Sequence, residues 1–453
     1  MSVTQPVVAI ELYDAGIRIG DGSNILVDSI SCALIESQTI LVGEQAEHQA
    51  HLRPREISTN YWANLSENSE TKHVVSNANI ALQHLKHACK EANCSTETII
   101  LITPTTLDKQ DLGLLLGICK KLSLNVVGLV SNAALVMQQH IPNCKAVFLD
   151  LLQQKLAISE LIQSDAGISL KQPNRIINYG LQSFIGNCAQ SIADKFISET
   201  RFDPLHSAND EQLFFDMLPL WLNMLKKNNS IECKLKSADK NYSINIDQNH
   251  LQQSNQKLFE EIAAHLSVLF HNNKSVVIFC SSSCGQAFGL QTFLNNLPGC
   301  AIVALSNDSI INHALNNKNE LINNGQVHYI NSLPWQNSIT PLSLQFNAGQ
   351  LANITSKPTH VLIDGHAYSL NKNLFICRDT ANTPIVTRAE ETQTLCKISA
   401  DNMNIVVETL VDDVALINGS SVKSVCFANT GDVLTINDYQ TNYVFIKVVQ
   451  DEA

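Results

Sequence analysis

Cysteine and histidine are the residues of this 453-residue chain with the widest chemical repertoire, since both bind metals and take part in catalysis. The sequence has 13 cysteines and 14 histidines, with no Cys-x-x-Cys pair and no His-x-x-x-His pair. Cys119, Cys280, Cys377 and Cys426 lie inside apolar runs. Zinc sites and disulfide frameworks show regular cysteine spacing. We therefore predict reduced, buried thiols and no metal site.

The overall composition indicates a folded protein with several buried cores. Hydrophobic residues make up 45% of the chain, and the mean hydropathy is +0.00. The net charge of -12 argues against electrostatic binding of the chain as a whole to nucleic acid or anionic lipid. No apolar run reaches the ~18 residues of a membrane span, and residues 1–16 show no basic segment before a long apolar run. We expect a cytoplasmic protein that binds other proteins.

The hydrophobic pattern predicts two α/β halves that begin in the same way. Each half starts with short strands separated by turn residues and continues into alternating strands and helices, which is typical of partly parallel sheets covered by helices. In the first half the predicted strands are 6–12, 98–104 and 125–130, and the predicted helices are 74–92, 108–122 and 131–140. In the second half the predictions are two strands in 146–163 with a turn at Gln153–Gln154, helices 182–198, 210–227, 250–270 and 285–297, a hairpin 231–246 and a strand 275–283.

The remainder of the chain has a different character. Residues 326–356 are poor in periodicity and predict a connector. From 357 to 453 the sequence consists of short strands separated by turns, a spacing that predicts an all-β sandwich.

The segments up to about residue 325 resemble, in order, the ATPase domain of DnaK-type heat-shock chaperones within the actin superfamily. The closest match is 100–136, and 41–54, 177–196, 243–262 and 275–288 follow the family pattern at their places. The resemblance implies a two-lobed, ribonuclease H-like fold over residues 1–325, with halves of about 1–142 and 143–325. It also implies ATP or ADP with magnesium as ligand, bound between the lobes.

The resemblance places the phosphate-binding residues in two hairpins and three further segments. In this family each hairpin starts with a carboxylate for hydrated magnesium and continues with glycines, whose backbone approaches the phosphates closely. Glu11 and Asp150 keep the carboxylates, but Tyr13 replaces the glycine of the first hairpin and Leu152 to Gln154 replace those of the second. Gly180 falls where the family has a Gly-Gly pair, and Cys280, Ser281 and Ser282 fall at the turn that binds adenosine. Asn132 falls where the family has the glutamate that positions the attacking water, and Trp62–Ala63 lie near the position of the family's lysine.

The C-terminal segment resembles a forkhead-associated domain, a β-sandwich that binds phosphothreonine peptides. The resemblance implies that Arg378 pairs with the phosphate, that Ser399 donates a hydrogen bond to it, and that Asn418 belongs to the peptide site. Asp413 and Asn402 depart from the family pattern, which has Asn and His there.

These departures favour a non-catalytic scaffold or adaptor with a protein-docking module. Without the family's glycines, neither hairpin can bring its backbone N–H groups close to the phosphates. Two alternatives stay open: an active chaperone-like or filament-forming ATPase, and a phosphothreonine-dependent signalling adaptor. Glu11 and Asp150 are also compatible with ordinary strand carboxylates, and Arg378 with a solvated loop residue.

Overall fold

A computed structural model gives the fold of the chain. It divides into two compact units, residues 1–257 with 274–348, and residues 258–273 with 349–453. The structure describes residues 6–36, 39–66, 75–94, 97–171, 174–267, 269, 275–322, 327–336, 344, 358–363, 365–379, 383–391, 393–400, 405–411, 414–417, 420–422, 425–428, 432–437 and 441–446.

The first half of the larger unit starts with a strand meander and continues with strands and helices in alternation. Its elements are β1 (Val7–Tyr13), β2 (Gly16–Gly20), β3 (Ile25–Ile30), β4 (Ala33–Ile35), β5 (Ile40–Val42), α1 (Glu44–Glu47), β6 (Ile57–Ser58), α2 (Asn77–Glu91), β7 (Thr98–Thr103), α3 (Lys109–Lys121), β8 (Asn125–Ser131) and α4 (Asn132–Leu135). The apolar strand β7 is buried at every position, as its continuous run of β-branched and aliphatic residues predicts.

The second half repeats this plan with a helical and hairpin insertion. Its elements are β9 (Cys144–Leu151), β10 (Leu156–Ser164), β11 (Gly167–Leu170), β12 (Arg175–Ile177), α5 (Leu181–Thr200), α6 (Ala208–Lys227), β13 (Ser230–Ser237), β14 (Lys240–Asp247), α7 (Gln248–Ser254), α8 (Gln256–Ser267), β15 (Ser275–Cys280), α9 (Leu290–Asn295), β16 (Cys300–Ala304), α10 (Ser309–Asn316), α11 (Lys318–Leu321), β17 (Tyr329–Ile330) and β18 (Ser332–Pro334). From residue 258 onward, α8 belongs to the smaller unit.

The two large sheets of this unit have the same topology. The first has the strand order β17-β8-β7-β1-β2-β3, and the second contains the path β16-β15-β9-β10-β11-β18. In each sheet three antiparallel strands form a meander, and two further strands add in parallel to its first strand. β1 and β9 are therefore equivalent central strands, and the turns that follow them are equivalent hairpin tips.

Two short strands fall within 326–356, the range that the sequence predicts as a connector. β17 pairs in parallel with β8, and β18 pairs antiparallel with β11. Each short strand thereby extends one of the two large sheets.

The smaller unit contains two antiparallel sheets. Its strands are β19 (His360–Ile363), β20 (His366–Ser369), β21 (Leu374–Arg378), β22 (Pro384–Thr387), β23 (Thr394–Ala400), β24 (Ile405–Thr409), β25 (Ala415–Ile417), β26 (Ser420–Ser421), β27 (Val425–Ala428), β28 (Val433–Ile436) and β29 (Asn442–Ile446). The sheet orders are β20-β19-β29-β28-β25-β26 and β22-β21-β23-β24-β27. One apolar cluster takes residues from both sheets. The predicted fold class, mixed α/β followed by an antiparallel β region, is confirmed at this level.

Three predicted helices are wrong in extent. The predicted helix 285–297 is reduced to α9, which begins only at Leu290 and ends at Asn295. The predicted helix 131–140 ends at Leu135, whose carbonyl accepts a hydrogen bond from the His313 imidazole at 2.6 Å. The predicted helix 250–270 is interrupted at Asn255, which is fully buried. Its side chain bonds to Asn187 and Cys188 of α5, so a tertiary contact replaces the helical continuation.

Candidate functional site

The first hairpin carries a buried ion pair that the sequence analysis did not find. Glu11 on β1 lies directly opposite Arg18 on β2, and the guanidinium donates to the carboxylate at 3.1 Å. Their side chains are 9% and 4% exposed. Arg18 also binds Asp28 on β3 at 3.1 Å. The carboxylate predicted to hold magnesium is thus neutralised by a cation from the neighbouring strand.

Tyr13 completes this cluster. Its ring lies below the Arg18 guanidinium, 4.7 Å from the ring centroid, and its hydroxyl donates to Asp28 at 2.5 Å. Gly16 makes room for the phenol, because a Cβ at Gly16 would lie 2.8 Å from the hydroxyl oxygen. The Tyr13 side chain is therefore accommodated within the hairpin.

Burial dominates the electrostatics of this cluster. It raises the pKa of Glu11 to about 7, although the Arg18 guanidinium lowers it, and nearby Asp150 adds to the rise. Desolvation lowers the pKa of Arg18, but the interactions with Glu11, Tyr13 and Asp28 outweigh it and the net shift is upward. The pair is fully charged only above neutral pH.

Asp150, the second predicted magnesium carboxylate, is held at the end of β9 by neutral donors. The Asn132 amide donates to it at 2.7 Å, and the Ser281 hydroxyl also bonds to it. Burial raises the pKa of Asp150 to about 6, while Asn132 and Ser281 lower it. Asn132 stands where the resemblance places a general base, and here it serves as a hydrogen-bond donor.

The two hairpin tips bind each other directly. Asp14, in the β1–β2 turn, accepts a hydrogen bond from the backbone N–H of Gln153, in the β9–β10 turn, at 2.7 Å. Burial raises the pKa of Asp14 to about 7, whereas the backbone bonds from Gln153 and Gln154 lower it. A carboxylate from one hairpin therefore occupies N–H groups of the other.

Gly180 allows the second tip to approach the helix behind it. A Cβ at Gly180 would lie 2.3 Å from the Leu152 carbonyl oxygen and 2.5 Å from that of Gln153. The first N–H groups of α5, from Leu181 and Gln182, donate to these two carbonyls at 2.8 and 3.0 Å. These N–H groups of the helix N-terminus are thus bonded to backbone carbonyls of the second hairpin and do not face an anion.

The predicted adenosine turn packs against the same centre. Cys280 ends β15 and is fully buried, and Ser282 begins a short 3-10 turn that runs to Gly285. The Ser281 hydroxyl accepts the Leu151 N–H at 3.0 Å. The space enclosed there is a cavity of about 10 Å³. Its lining residues are Glu11, Tyr13, Arg18, Asn132, Phe148, Asp150, Ser281, Ser282, Ser283, Leu305, Ser306 and Ile310.

A cavity of this size admits about one water molecule. Five of the predicted nucleotide residues line this one cavity, whereas Gly180 and Cys280 do not. Glu11, Tyr13 and Asp150 are bonded there to Arg18, Asp28 and Asn132 respectively. Within the described residues, no group of three or more His, Cys, Asp or Glu side chains is arranged to hold a metal ion, and no helix is long and apolar enough to span a membrane.

A second contact joins the two halves outside the hairpins. The His51 ring stacks on Phe215 of α6 with centroids 4.0 Å apart, and its Nδ1 lies 2.9 Å from Glu211. The His51 backbone N–H donates to Gln212 at 2.8 Å, and the Gln212 amide donates to the Glu47 carbonyl at 3.2 Å. We call this set of residues the α6 contact.

The predicted phosphopeptide residues do not converge. In the β21–β23 register Cys377 lies opposite Thr394 and Leu374 opposite Ile398, so Arg378 and Ser399 lie at opposite ends of the strand pair. Five residues of strand separate them by roughly 17 Å. Arg378 keeps a buried Nε with no hydrogen-bond partner among the described residues. Asn418, Asp413 and Asn402 lie outside the described residues.

Arg18 and Asp14 are the functional residues that the sequence analysis missed. Arg18 had no distinct signal, because a charged residue between Ile17 and Ile19 also fits the alternation of a strand with one exposed face. Asp14 had none, since its partner Gln153 is remote in sequence.

Comparison with known proteins adds no identification. A scan against protein-family models matches no family, and a search of the curated proteins finds no match.

Proposed function

We propose that the larger unit is a nucleotide-clamp fold of the actin and heat-shock chaperone type whose phosphate site is filled by its own side chains. On this proposal the protein is a non-catalytic scaffold or adaptor of the cytoplasm, and the smaller unit is a docking module for protein partners. The observation that carries the proposal is the direct bond between the hairpin tips, Asp14 to Gln153.

The repeated topology supports the fold assignment. Both halves present a central strand followed by a hairpin, and both central strands carry a buried carboxylate near their end, Glu11 and Asp150. A two-hairpin clamp uses these features to hold phosphates with backbone N–H groups. The five segments that resemble the chaperone ATPase domain lie in the strands and helices that follow these hairpins along the chain.

The contents of the site support the loss of catalysis. Phosphoryl transfer requires positioned magnesium, a phosphate cradle and a group that orients the attacking water. In this chain Arg18 takes the place of a cation beside Glu11, and the Asp14 carboxylate takes the place of an anion beside Gln153. The remaining cavity of about 10 Å³ is far below the several hundred Å³ of ordinary ligand pockets.

The test is thermal unfolding with Mg-ATP, Mg-ADP and magnesium alone, together with an assay of phosphate release. A ligand at a hundredfold excess over its Kd would stabilise the fold by about 2.7 kcal/mol and raise the Tm by several degrees. We expect no shift with nucleotide beyond that with magnesium alone, and no phosphate release. Nucleotide-dependent stabilisation accompanied by phosphate release would favour the active ATPase instead.

The matched variant is Asp14→Ser, which shortens the side chain that binds the second hairpin. If occlusion by Asp14 is what excludes nucleotide, any Mg-ATP stabilisation will be larger in Asp14→Ser than in the natural chain. Equal stabilisation of the two proteins by Mg-ATP would contradict the proposed occlusion.

A further inference from the structure

Helix α6 carries an exposed apolar stripe that the proposed function does not use. Leu213, Leu220 and Met224 are 36%, 51% and 41% exposed, and Met217 is half-buried between them. Successive positions are separated by four, three and four residues, the spacing of a coiled-coil seam. Single exposed apolar residues are ordinary on protein surfaces, but a continuous row on one helix face marks an interaction surface.

The opposite side of α6 is already in use. Its buried face packs in the core formed with α5 and the β13–β14 hairpin. Its N-terminal half also makes the α6 contact with residues 47–51. Met217 borders this core, whereas Leu213, Leu220 and Met224 are not part of it. The folding of this unit therefore does not explain these three exposed side chains.

We propose that α6 pairs antiparallel with α6 of a second copy of this chain. A two-fold axis between Met217 and Leu220 places Leu213 opposite Met224 of the second copy, and Met217 opposite Leu220. The stripe is thus complementary to itself, as an isologous interface requires. This inference does not depend on the proposed loss of catalysis.

The charges of α6 match the same arrangement. The first turn is acidic, with Asp210 and Glu211, and the last turn is basic, with Lys226 and Lys227. The register that pairs Leu213 with Met224 also places Asp210 opposite Lys227 at each end of the stripe. A parallel pair would bring like charges together, so the charge pattern selects the antiparallel pair.

The predicted dimer is a weak one. From Leu213 to Met224 the stripe extends along about 17 Å of helix, which is short for a stable interface. We expect a dissociation constant in the micromolar range, so that the dimer forms only at higher protein concentration.

Sedimentation velocity of the full chain between about 1 and about 100 µM tests the proposal. We expect the mass to rise from one copy to two across this range. Leu220→Glu should raise the dissociation constant about tenfold or more, because Leu220 lies near the centre of the contact. The matched control is Ile197→Glu on α5, an apolar residue of 38% exposure outside the stripe, which should dimerise like the natural chain.

Charge reversal tests the direction of the pair. Lys227→Glu should weaken the dimer, and the combination Asp210→Lys with Lys227→Glu should restore it; Tm values identify any variant that no longer folds. The proposal is overturned by a protein that stays monomeric at the highest concentration, or by a dimer that Leu220→Glu leaves unchanged. Failure of the double variant to recover while its Tm is unaltered overturns it as well.

Discussion

Replacement of Arg18 by methionine should destabilise the larger unit in a pH-dependent way. Methionine keeps much of the side-chain volume, but Glu11 loses its only cation among the residues described as bonded to it. At 3.1 Å and an effective dielectric constant near 20, the attraction lost is about 5 kcal/mol. Breaking a buried ion pair by removing one partner costs about 3–5 kcal/mol, which is the upper limit that we expect.

The pH dependence follows from the raised pKa of Glu11. In the natural chain that pKa is about 7, and Arg18 lowers it, so removing Arg18 moves it further upward. Below pH 7 Glu11 is protonated in both folded proteins, and the charge contributes no difference between them. Above pH 7 the variant loses stability relative to the natural chain by about 1.4 kcal/mol for each pH unit until its own pKa is reached.

Urea unfolding at pH 6 and pH 8.5 measures this difference. Trp62 is buried in the same core as β1 and β2, and its fluorescence reports this part of the unit. The control is Glu11→Gln combined with Arg18→Met, which removes both charges and should recover most of the stability at pH 8.5. A penalty that is the same at both pH values, or no recovery in the double variant, would refute the pairing of Glu11 with Arg18 as its cause.

Three further changes test the contacts of the hairpin tips and the α6 contact. Asp14→Asn keeps the acceptor for Gln153 but removes a carboxyl whose folded pKa is raised to about 7. It should therefore remove part of the stability loss that the natural chain shows in urea unfolding as the pH rises from about 4 to about 7. An unchanged pH profile would contradict this. Gly180→Ala places a Cβ 2.3 Å from the Leu152 carbonyl and should lower stability by about 1–3 kcal/mol in urea unfolding, whereas Gly186→Ala on α5, where a Cβ meets no atom within 4 Å, should not. His51→Ala should cost only about 1 kcal/mol but increase hydrogen exchange in residues 47–53 and 208–216, and unaltered exchange there would show that the α6 contact does not hold these segments.

Much of the larger unit could be predicted from local pattern. The β1–β3 meander, the buried strand β7 and the turn at Gln153–Gln154 all follow from apolar runs interrupted by turn residues. The extents of two helices could not be predicted, because His313 and Asn255 act through partners distant in sequence.

The candidate site, too, could be predicted only in part from the sequence. The resemblance implied that Glu11, Tyr13 and Asp150 lie close together, and the structure brings these three residues to one small cavity. The smaller unit departs from prediction, because strand register separates Arg378 from Ser399. Register depends on pairing along the whole strand, which short motifs do not specify.

By itself the sequence determined the alternation of strands and helices and the repetition of two halves, since both depend on residue type and local spacing. Only the tertiary structure decided what fills the site. Arg18 neutralises Glu11, and Asp14 takes the N–H of Gln153, because the fold brings the two hairpin tips within hydrogen-bond distance. Buried charges and buried N–H groups require partners, but which partners they find is settled by packing between segments far apart in the chain.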